Sequence, residues 1–322
     1  MIELFVLQVS ILLFALMIDT IVGEPPDPFH PVVWMGKVIS FFEPRLYSGS
    51  KRRQRIKGTL AAIFTIFLFT IPTILFQIAG LSLISGNLIY LSIYVAVSAC
   101  VLKSSFTIAT LKKEATYVSE LAYNDVEQAR FCVQSLVSRD RSTLTREQIL
   151  SGVCESIGEN SVDSVVAPLL FFAVFGIAGA IFYRVVNTLD SMLGYKDHRE
   201  AAGAFSARLD DAVNYLPTRI ALPLMLLGFY FAAGKQASSQ ALRILKRDYR
   251  KKKAINSGLS ISLFAGGLGV KFVKLGSYAI GDKDDAITKS TVNRAISVMQ
   301  FTSTITIVIV TLLILLINIV SL

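Results

Sequence analysis

The sequence predicts an all-α, multi-spanning integral membrane protein whose polar helices and loops face the cytoplasm. Of its 322 residues, 53% are hydrophobic and 17% are charged, whereas a soluble domain carries about 25% charged residues. The deficit is concentrated in three windows without any charged residue, 58–102, 164–183 and 301–322. A bilayer core is crossed by about 20 apolar residues in a helix, so each window is long enough to cross.

The N-terminal residues predict a retained first helix rather than a cleaved signal peptide. Glu3 is the only charged residue before Asp19, so the segment lacks a basic leading region, and no A-x-A cleavage site follows it. Residues 23–31 contain four prolines, which forbid a regular helix. Residues 32–42 then predict a short amphipathic helix at the membrane interface, with Trp34 as its anchor.

The apolar segments are assigned to a single membrane-embedded domain, 1–322. Membrane spans are predicted near 4–22, 58–79, 86–102 and 301–321. Two further segments, 164–183 and 220–234, either span the membrane or re-enter it, because the second has only fifteen uncharged residues and contains Pro223. We prefer buried or re-entrant segments, which leave the neighbouring polar blocks on one side and are tolerated where protein covers them.

Positive charge is clustered beside the apolar windows. The net charge is +9, with five basic residues within 51–57 and seven within 243–253. Such clusters mark the cytoplasmic side and attract anionic lipid head groups. We therefore expect a multi-pass protein of the cell membrane with its active site facing the cytoplasm. Nucleic-acid binding is not expected, because no aromatic-rich basic sheet or zinc-finger spacing accompanies the charge.

The acidic segment 155–163 is the strongest candidate for chemistry. In a helix, Glu155, Glu159 and Asp163 share one face, and like charges on one face destabilise a helix. A metal ion, a cationic ligand, or arginine and lysine from elsewhere must then offset the repulsion. The alternative is a solvated acidic face.

A second polar block covers residues 184–196. Read as a helix, it places Arg184, Asn187 and Ser191 on one face with Asp190 beside it. Gly194 is expected to end this helix.

A third polar block covers residues 207–217. Here Asp210 and Asn214 are four residues apart. Arg208 and Asp211 are three apart and are either part of a site or a local ion pair. Carboxylate and amide oxygens suit Mg²⁺ when phosphates complete its shell, and arginine suits phosphate oxygens. The blocks together predict a polyanionic phosphate substrate held with Mg²⁺.

Other local patterns predict structure more than chemistry. Thr145 and Gln148 form a capping box at a helix start, and residues 127–137 form an amphipathic helix. The glycine-rich run 265–270 indicates close helix packing or a phosphate cradle. No Walker A and no G-x-S-x-G sequence occurs, which argues against those nucleotide-binding and acyl-enzyme classes. Three cysteines without a C-x-x-C pair argue against a zinc site or a disulfide framework.

In these motifs the chain resembles the CbiB/CobD family of membrane proteins of cobalamin biosynthesis, the adenosylcobinamide-phosphate synthases. The matching positions run from Asp19 to about Gly276 in the family's order. They are Asp19, 23–26, 30–32, 35–36, 139–140, 155–156, 159–160, Asp163, 166–168, 187–192, 194–195, 207–211, Asn214, Pro217 and Arg219. The chain departs at 256–260, where the family usually has Asn-Ala-Gly-Trp-Pro and this sequence has Asn-Ser-Gly-Leu-Ser.

The resemblance implies an enzyme, a ligase that forms a carbon–nitrogen bond. Its expected reaction joins a propionate carboxylate of adenosylcobyric acid to aminopropanol phosphate, or a related amino alcohol, giving adenosylcobinamide phosphate. ATP is the expected co-substrate and Mg²⁺ the expected cofactor, with the carboxylate activated as an acyl phosphate before the amine attacks. Expected partners besides the substrates are membrane lipid and either other membrane enzymes of the cobalamin pathway or a second copy of this chain.

The resemblance also directs the choice of site residues. As catalytic residues we assign Glu159, Asp163, Asp190, Asp210 and Asp211. As substrate- and phosphate-binding residues we assign Asn160, Arg184, Asn187, Arg208, Asn214 and His30. Asp163 and Asp190 are the expected metal ligands. Two other classes stay open: a transporter or channel, since ionisable residues at lipid boundaries are also typical of these proteins, and a non-catalytic scaffold for corrinoid enzymes.

Overall fold

The computed structural model describes residues 2–82, 87–133, 144–195, 199–274, 276–282 and 285–320. Positions 139–140, part of the family resemblance, lie outside these residues. The chain forms two compact units, the first comprising Met1–Thr107, Ala167–Val213 and Ile307–Leu322, and the second Ile108–Val166 and Asn214–Thr306. We describe each unit by itself, and the expected single membrane domain stays a prediction.

The first unit begins with helix α1 and a 3₁₀ turn in the proline-rich loop. Its elements are α1 (Ile2–Ile21), the turn Asp27–Phe29, α2 (Pro31–Leu46), α3 (Lys51–Leu81), α4 (Leu88–Lys103), α8 (Ala167–Leu193) and α9 (Glu200–Val213). The proline-rich loop and the helix after it are confirmed, because the prolines delay the helix to Pro31. The interfacial position of α2 and the anchoring by Trp34 stay predictions.

The second unit contains most of the remaining helices and a short hairpin. Its elements are α5 (Ala109–Asn124), α6 (Val126–Cys132), α7 (Arg146–Ser161), a π-helical turn (Val162–Val166), α10 (Tyr215–Asp248), α11 (Ser257–Leu268), β1 (Phe272–Lys274) and β2 (Tyr278–Ile280). The strands are antiparallel, with Val273 opposite Ala279. Helix α12 (Lys289–Val320) begins in this unit and ends in the first.

Five helical segments are long and apolar enough to cross a membrane, which confirms an all-α, multi-spanning protein. They are Glu3–Ile21, Lys51–Leu81, Arg146–Leu193, Tyr215–Asp248 and Lys289–Val320. The predicted span 86–102 corresponds to α4, which has 16 residues and is shorter than the about 20 that a crossing needs. The segments 164–183 and 220–234 lie inside longer helices, and their crossing or re-entry stays a prediction.

The core of the first unit packs α2, α3, α8 and α9 together. Met35, Ala62, Val185 and Ala202 are among its buried residues. Helices α3 and α9 touch at their backbones, because a Cβ atom added to Gly58 would lie 1.9 Å from the carbonyl oxygen of Ala202. Only glycine permits this approach.

Helix α8 is broken at Gly176, which has φ +68° and ψ −158°. This conformation is open to glycine and strained for other residues. Gln77 of α3 covers the break: its Nε2 donates to the carbonyl of Phe175 at 3.2 Å, and its Oε1 accepts from the N–H of Ala178 at 3.1 Å. The side chain thus replaces the backbone hydrogen bonds that the break removes.

The second unit is built on the pairing of α10 with α11. Phe229 and Phe264 meet edge to face with ring centroids 5.2 Å apart, and a Cβ atom on Gly267 would lie 2.6 Å from the Phe229 ring. The glycine-rich run therefore serves close helix packing, one of its two predicted uses.

Local signals in the second unit are confirmed in part. Thr145 and Gln148 form the predicted capping box at the start of α7. The helix predicted over 127–137 is observed as α6, Val126–Cys132, and positions 134–137 lie outside the described residues. The hairpin after α11 is an element that sequence reasoning missed.

Candidate functional site

A buried lysine at the end of α4 is the centre of an ionic network in the first unit. The Nζ atom of Lys103 lies 2.8 Å from Glu24 Oε1 and 3.2 Å from Asp19 Oδ1. It also donates to the carbonyl of Phe106 at 3.3 Å. Lys103 is 0% exposed and Asp19 is 1% exposed. Charges so far from water are tolerated only when paired and hydrogen-bonded.

His30 extends this network into the loop that starts α2. Its Nε2 lies 3.2 Å from Glu24 Oε2, while its Nδ1 accepts from the backbone N–H of Val32 at 3.2 Å. Burial raises the pKa of Glu24, but His30 and Lys103 outweigh burial and lower the pKa to about 2. Glu24 is therefore a carboxylate at neutral pH, and both imidazole nitrogens of His30 have partners.

Arg184 and Asn187 of α8 lie next to the same turn. The Nε atom of Arg184 donates to the carbonyl of Ser105 at 2.8 Å, and its Nη1 donates to Asn187 Oδ1 at 3.2 Å. Residues 103–106 therefore contact both the Lys103 network and the Arg184–Asn187 pair. The predicted shared face of Arg184, Asn187 and Ser191 is confirmed, with the Ser191 hydroxyl donating to the Asn187 carbonyl at 2.9 Å.

Asp190 lies at the C-terminal end of α8, close to the glycine predicted to end it. The helix ends at Leu193, as expected. A Cβ atom on Gly194 would lie 2.0 Å from Asp190 Oδ1, so the carboxylate occupies space that only glycine leaves open.

Helix α9 contributes Arg208, Asp210 and Asp211. Arg208 and Asp211 line one cavity together with residues from the start of α3, and Asp210 is half-buried on the same helix. Whether Asp210 and Asp211 act on a substrate stays a prediction.

Glu155 and Glu159 of the acidic segment contact side chains from other parts of the second unit. Glu159 Oε1 lies 3.1 Å from Lys252 Nζ, which belongs to the basic cluster 243–253. Glu155 accepts from the hydroxyls of Tyr278 at 2.5 Å and Ser151 at 2.9 Å. A lysine from elsewhere in the fold thus offsets Glu159, one of the three predicted compensations.

The remaining predicted residues of the second unit lie around the π-helical turn and the start of α10. Asn160 donates to the Ser156 carbonyl at 3.0 Å and accepts from the Ser164 hydroxyl at 2.8 Å. Asp163 lies in the π-helical turn, where the register differs from the i, i+4 spacing assumed from sequence. Asn214 is 1% exposed and directly precedes α10.

The predicted site residues are divided between the two units. The first contains His30, Arg184, Asn187, Asp190, Arg208, Asp210 and Asp211, and the second contains Glu159, Asn160, Asp163 and Asn214. Within the first unit, Arg184 and Asn187 meet, and His30 joins the network that adjoins them. A single pocket that unites all eleven residues stays a prediction.

The described residues fit the expected Mg²⁺ only if the substrate phosphates supply some of its ligands. Among the described residues, no three His, Cys, Asp or Glu side chains are grouped to hold a metal ion. Proteins often bind Mg²⁺ through one or two carboxylates while phosphates and water supply the other ligands. Asp190 of the first unit and Asp163 of the second can each act in this way.

Sequence reasoning did not assign Lys103, Asp19 or Glu24 to the site. Asp19 and Glu24 belong to the motif that carries the family resemblance, and Lys103 directly follows the charge-free window 58–102. A lysine at the end of an apolar window is an ordinary interfacial residue in sequence. The predicted span 86–102 stops one residue before Lys103, and no role is predicted for it.

Comparison with known proteins supports the resemblance over nearly the whole chain. A model of the family described as CobD/Cbib protein matches residues 12–308. The cobalamin biosynthesis protein CobD of Dehalococcoides mccartyi is 40% identical over 275 residues, which cover 84% of this chain and 86% of that protein. A probable cobalamin biosynthesis protein CobD of Methanothermobacter thermautotrophicus is 36% identical, with 92% and 94% covered.

The similarity extends to a further archaeal protein and has no counterpart among solved structures. A probable cobalamin biosynthesis protein CobD of Pyrococcus abyssi is 38% identical over 265 residues, or 82% of each chain. No solved structure matches the chain. With the family matched from residue 12 to residue 308, this chain belongs to the CobD/CbiB protein family.

Proposed function

We propose that this chain is a ligase of cobalamin biosynthesis that joins adenosylcobyric acid to aminopropanol phosphate, or a related amino alcohol, at the expense of ATP. The names of its relatives support the pathway. The observation that carries the proposal is the convergence of family-motif residues in the first unit. Glu24 and His30 join Lys103, and the turn after Lys103 binds Arg184, which holds Asn187.

The reaction requires an activated carboxylate and a deprotonated amine. A propionate carboxylate is a poor electrophile, so ATP first phosphorylates it and releases ADP. The ammonium group then loses a proton to a base, attacks the acyl carbon and forms the amide as phosphate leaves. A protein serves these steps by positioning the reactants and by stabilising developing charge.

The residues of the first unit supply groups suited to these tasks. We assign Arg184 to bind phosphate oxygens, which suit a guanidinium group; its Nε and Nη1 donate to Ser105 and Asn187 and hold the group in one orientation. Asp190 is the proposed base or metal ligand. Bound Mg²⁺ supplies charge neutralisation on phosphate oxygens.

A ligation assay tests the proposal. Purified protein is incubated with Mg-ATP, adenosylcobyric acid and the amine, and amide formation and nucleotide products are measured by chromatography and mass spectrometry. Amide formation with ADP release is expected, whereas AMP release would replace the acyl phosphate with an acyl adenylate. A transporter or a scaffold predicts no amide at all.

Asp190→Asn tests the proposed centre within this assay. The variant is expected to remain folded in the membrane and to lose ligation. Asp125→Asn is the matched control, because Asp125 caps α6 in the second unit and asparagine caps equally well. Full activity of Asp190→Asn would remove this carboxylate from the mechanism.

The cytoplasmic orientation of the site is a separate proposal. It rests on the basic residues 51–57 at the start of α3 and on the need for ATP. A cysteine introduced at Tyr195, in a cysteine-free background, is expected to react with a membrane-impermeant maleimide from the cytoplasmic side of sealed vesicles. Reaction from the opposite side alone would contradict the orientation.

A further inference from the structure

A polar cavity of about 310 Å³ lies in the first unit, between the start of α3, the end of α8 and helix α9. Five charged side chains line it, with both signs represented. They are Lys51, Arg55, Glu200, Arg208 and Asp211. The lining also includes Tyr195 and the backbone of Gly194 and Gly203.

The three cations of this cavity have no partner within the part of the chain that the structure describes. The exposed side chains of Lys51, Arg55 and Arg208 make no side-chain hydrogen bond or ion pair there. Lys57, on the same helix, instead bonds the carbonyl of Arg45 at 3.1 Å. Lys51 and Arg55 are also one helical turn apart, where like charges destabilise a helix. An anion bound between them relieves this repulsion.

The walls of the cavity are fixed by backbone packing. A Cβ atom on Gly203 would lie 1.8 Å from the carbonyl oxygen of Leu193, and one on Gly58 would lie 1.9 Å from that of Ala202. Helix α9 is thereby held directly against the end of α8 and against α3. The charged side chains therefore project from elements whose spacing is already set, which lowers the cost of ordering them around a ligand.

The pattern of charges identifies the class of ligand. Three cations suit the oxygens of a phosphate, while the carboxylates of Glu200 and Asp211 suit an ammonium group. A cavity volume of about 310 Å³ lies at the lower end of the range of small-molecule sites, about 300 to 1,000 Å³, and suits a small molecule or a head group. The chemistry is that of an aminoalkyl phosphate.

We propose that this cavity binds the amino-alcohol phosphate substrate, with its phosphate on Lys51, Arg55 and Arg208 and its ammonium on Glu200 and Asp211. The assignment of the substrate rests on the proposed function. It adds Lys51, Arg55 and Glu200 to the residues that determine specificity. An aminoethyl lipid head group has the same chemistry, and the experiment separates the two sources.

Calorimetric titration of the full-length protein in detergent with aminopropanol phosphate is the direct test. Losing one charged phosphate contact weakens binding by about ten- to a hundredfold, so Lys51→Ala and Arg55→Ala are each expected to raise the Kd by that factor. Arg52→Ala is the matched control, since Arg52 is exposed on the same helix and does not line the cavity. Unchanged binding in both cavity variants overturns the proposal.

Ligand variants assign the two ends of the site. Glu200→Gln is expected to weaken aminopropanol phosphate about tenfold while leaving inorganic phosphate unchanged, because only the first has an ammonium group. Aminopropanol without phosphate is expected to bind wild type and Arg55→Ala equally weakly. Titrations in nanodiscs with and without phosphatidylethanolamine test the lipid as the ligand. If this lipid occupies the cavity and aminopropanol phosphate does not bind, the substrate assignment is overturned.

Kinetics separate this inference from the proposed function. In an active ligase, Arg55→Ala is expected to raise the KM for the amine about tenfold or more and to leave the KM for adenosylcobyric acid unchanged. If Arg55→Ala has wild-type kinetics, the proposed amine site is overturned while the proposed ligase function stands. Tight binding that depends on Lys51 and Arg55, without any amide formed, supports the site and refutes the ligase. A thermal melt of each variant confirms folding.

Discussion

Replacement of Lys103 by methionine is expected to destabilise the protein strongly. The Nζ atom lies 2.8 Å from Glu24 and 3.2 Å from Asp19, and Lys103 and Asp19 are 0% and 1% exposed. Methionine fills similar space but leaves the carboxylates without their cation. Removing one partner of a buried ion pair costs about 3 to 5 kcal/mol, because the other charge stays buried.

The expected loss converts into a measurable shift of the melting temperature. At about 2 °C per kcal/mol for a chain of this size, Lys103→Met lowers the Tm by about 6 to 10 °C. The assay is a thermal melt of purified protein in detergent, followed by tryptophan fluorescence or by a thiol-reactive dye. Lys112→Met is the matched control, because Lys112 is exposed on α5 and its loss is expected to leave the Tm unchanged.

A double-mutant cycle identifies the cause of the loss. Asp19→Asn removes a buried carboxylate that Lys103 neutralises. Lys103→Met combined with Asp19→Asn is therefore expected to be more stable than the sum of the two single effects predicts. Additive effects would show that the two groups do not interact. A Tm for Lys103→Met within about 1 °C of wild type would refute the reasoning as a whole, because it corresponds to less than 1 kcal/mol.

Four further predictions test other parts of the structure. The pKa of Glu24 in the folded protein is about 2, below its ordinary 4.5. Its carboxylate therefore stabilises the fold fully above about pH 4.5 and loses this effect as the pH falls toward 2. The Tm difference between wild type and Glu24→Gln is expected to shrink over that pH range, and a constant difference would contradict the lowered pKa. Gly58→Ala is expected to prevent the normal packing of α3 on α9 and to lower the yield of folded protein, whereas Gly36→Ala, whose added methyl would lie 3.7 Å from Met192, is tolerated. Thr145→Ala removes the capping box and is expected to cost about 1 kcal/mol, or about 2 °C in a melt, while Thr145→Ser keeps the cap. In Lys252→Met, Glu159 stays partly hydrated, because its side chain is 38% exposed. The Tm of this variant is expected to fall by less than about 2 °C. A fall as large as that of Lys103→Met would mean that the Lys252–Glu159 pair is as buried as the Lys103–Asp19 pair.

Features controlled by nearby residues could be predicted from sequence. The capping box at Thr145, the end of α8 before Gly194 and the loop through residue 30 each depend on the backbone preferences of a few residues. Charge-free windows likewise located most of the long helices, because the cost of burying charge in lipid leaves a clear pattern. These signals lie within single segments of the chain.

Features that depend on distant residues could not be predicted in the same way. In sequence, Lys103 is a lysine at the end of an apolar window. Its pairing with Asp19, 84 positions earlier in the chain, depends on the folded structure and leaves no local pattern. The acidic segment was read with an ideal helical period, but the π-helical turn at Val162–Val166 changes the register at Asp163. The acidic segment predicts an arginine or a lysine as a partner for its carboxylates, but it does not indicate that the partner of Glu159 is Lys252.

The contact of Gln77 with the helix break at Gly176 limits which substitutions members of this family can accept at the two positions. In lipid, a backbone group left without a hydrogen bond costs several kcal/mol, so an apolar residue at 77 is unfavourable while α8 keeps its break. A side chain at 176 is also unfavourable, because the φ of +68° there strains any residue other than glycine and an added Cβ would displace the Gln77 amide. The two positions are therefore expected to co-vary: descendants that lose the glutamine should also have regained a continuous helix.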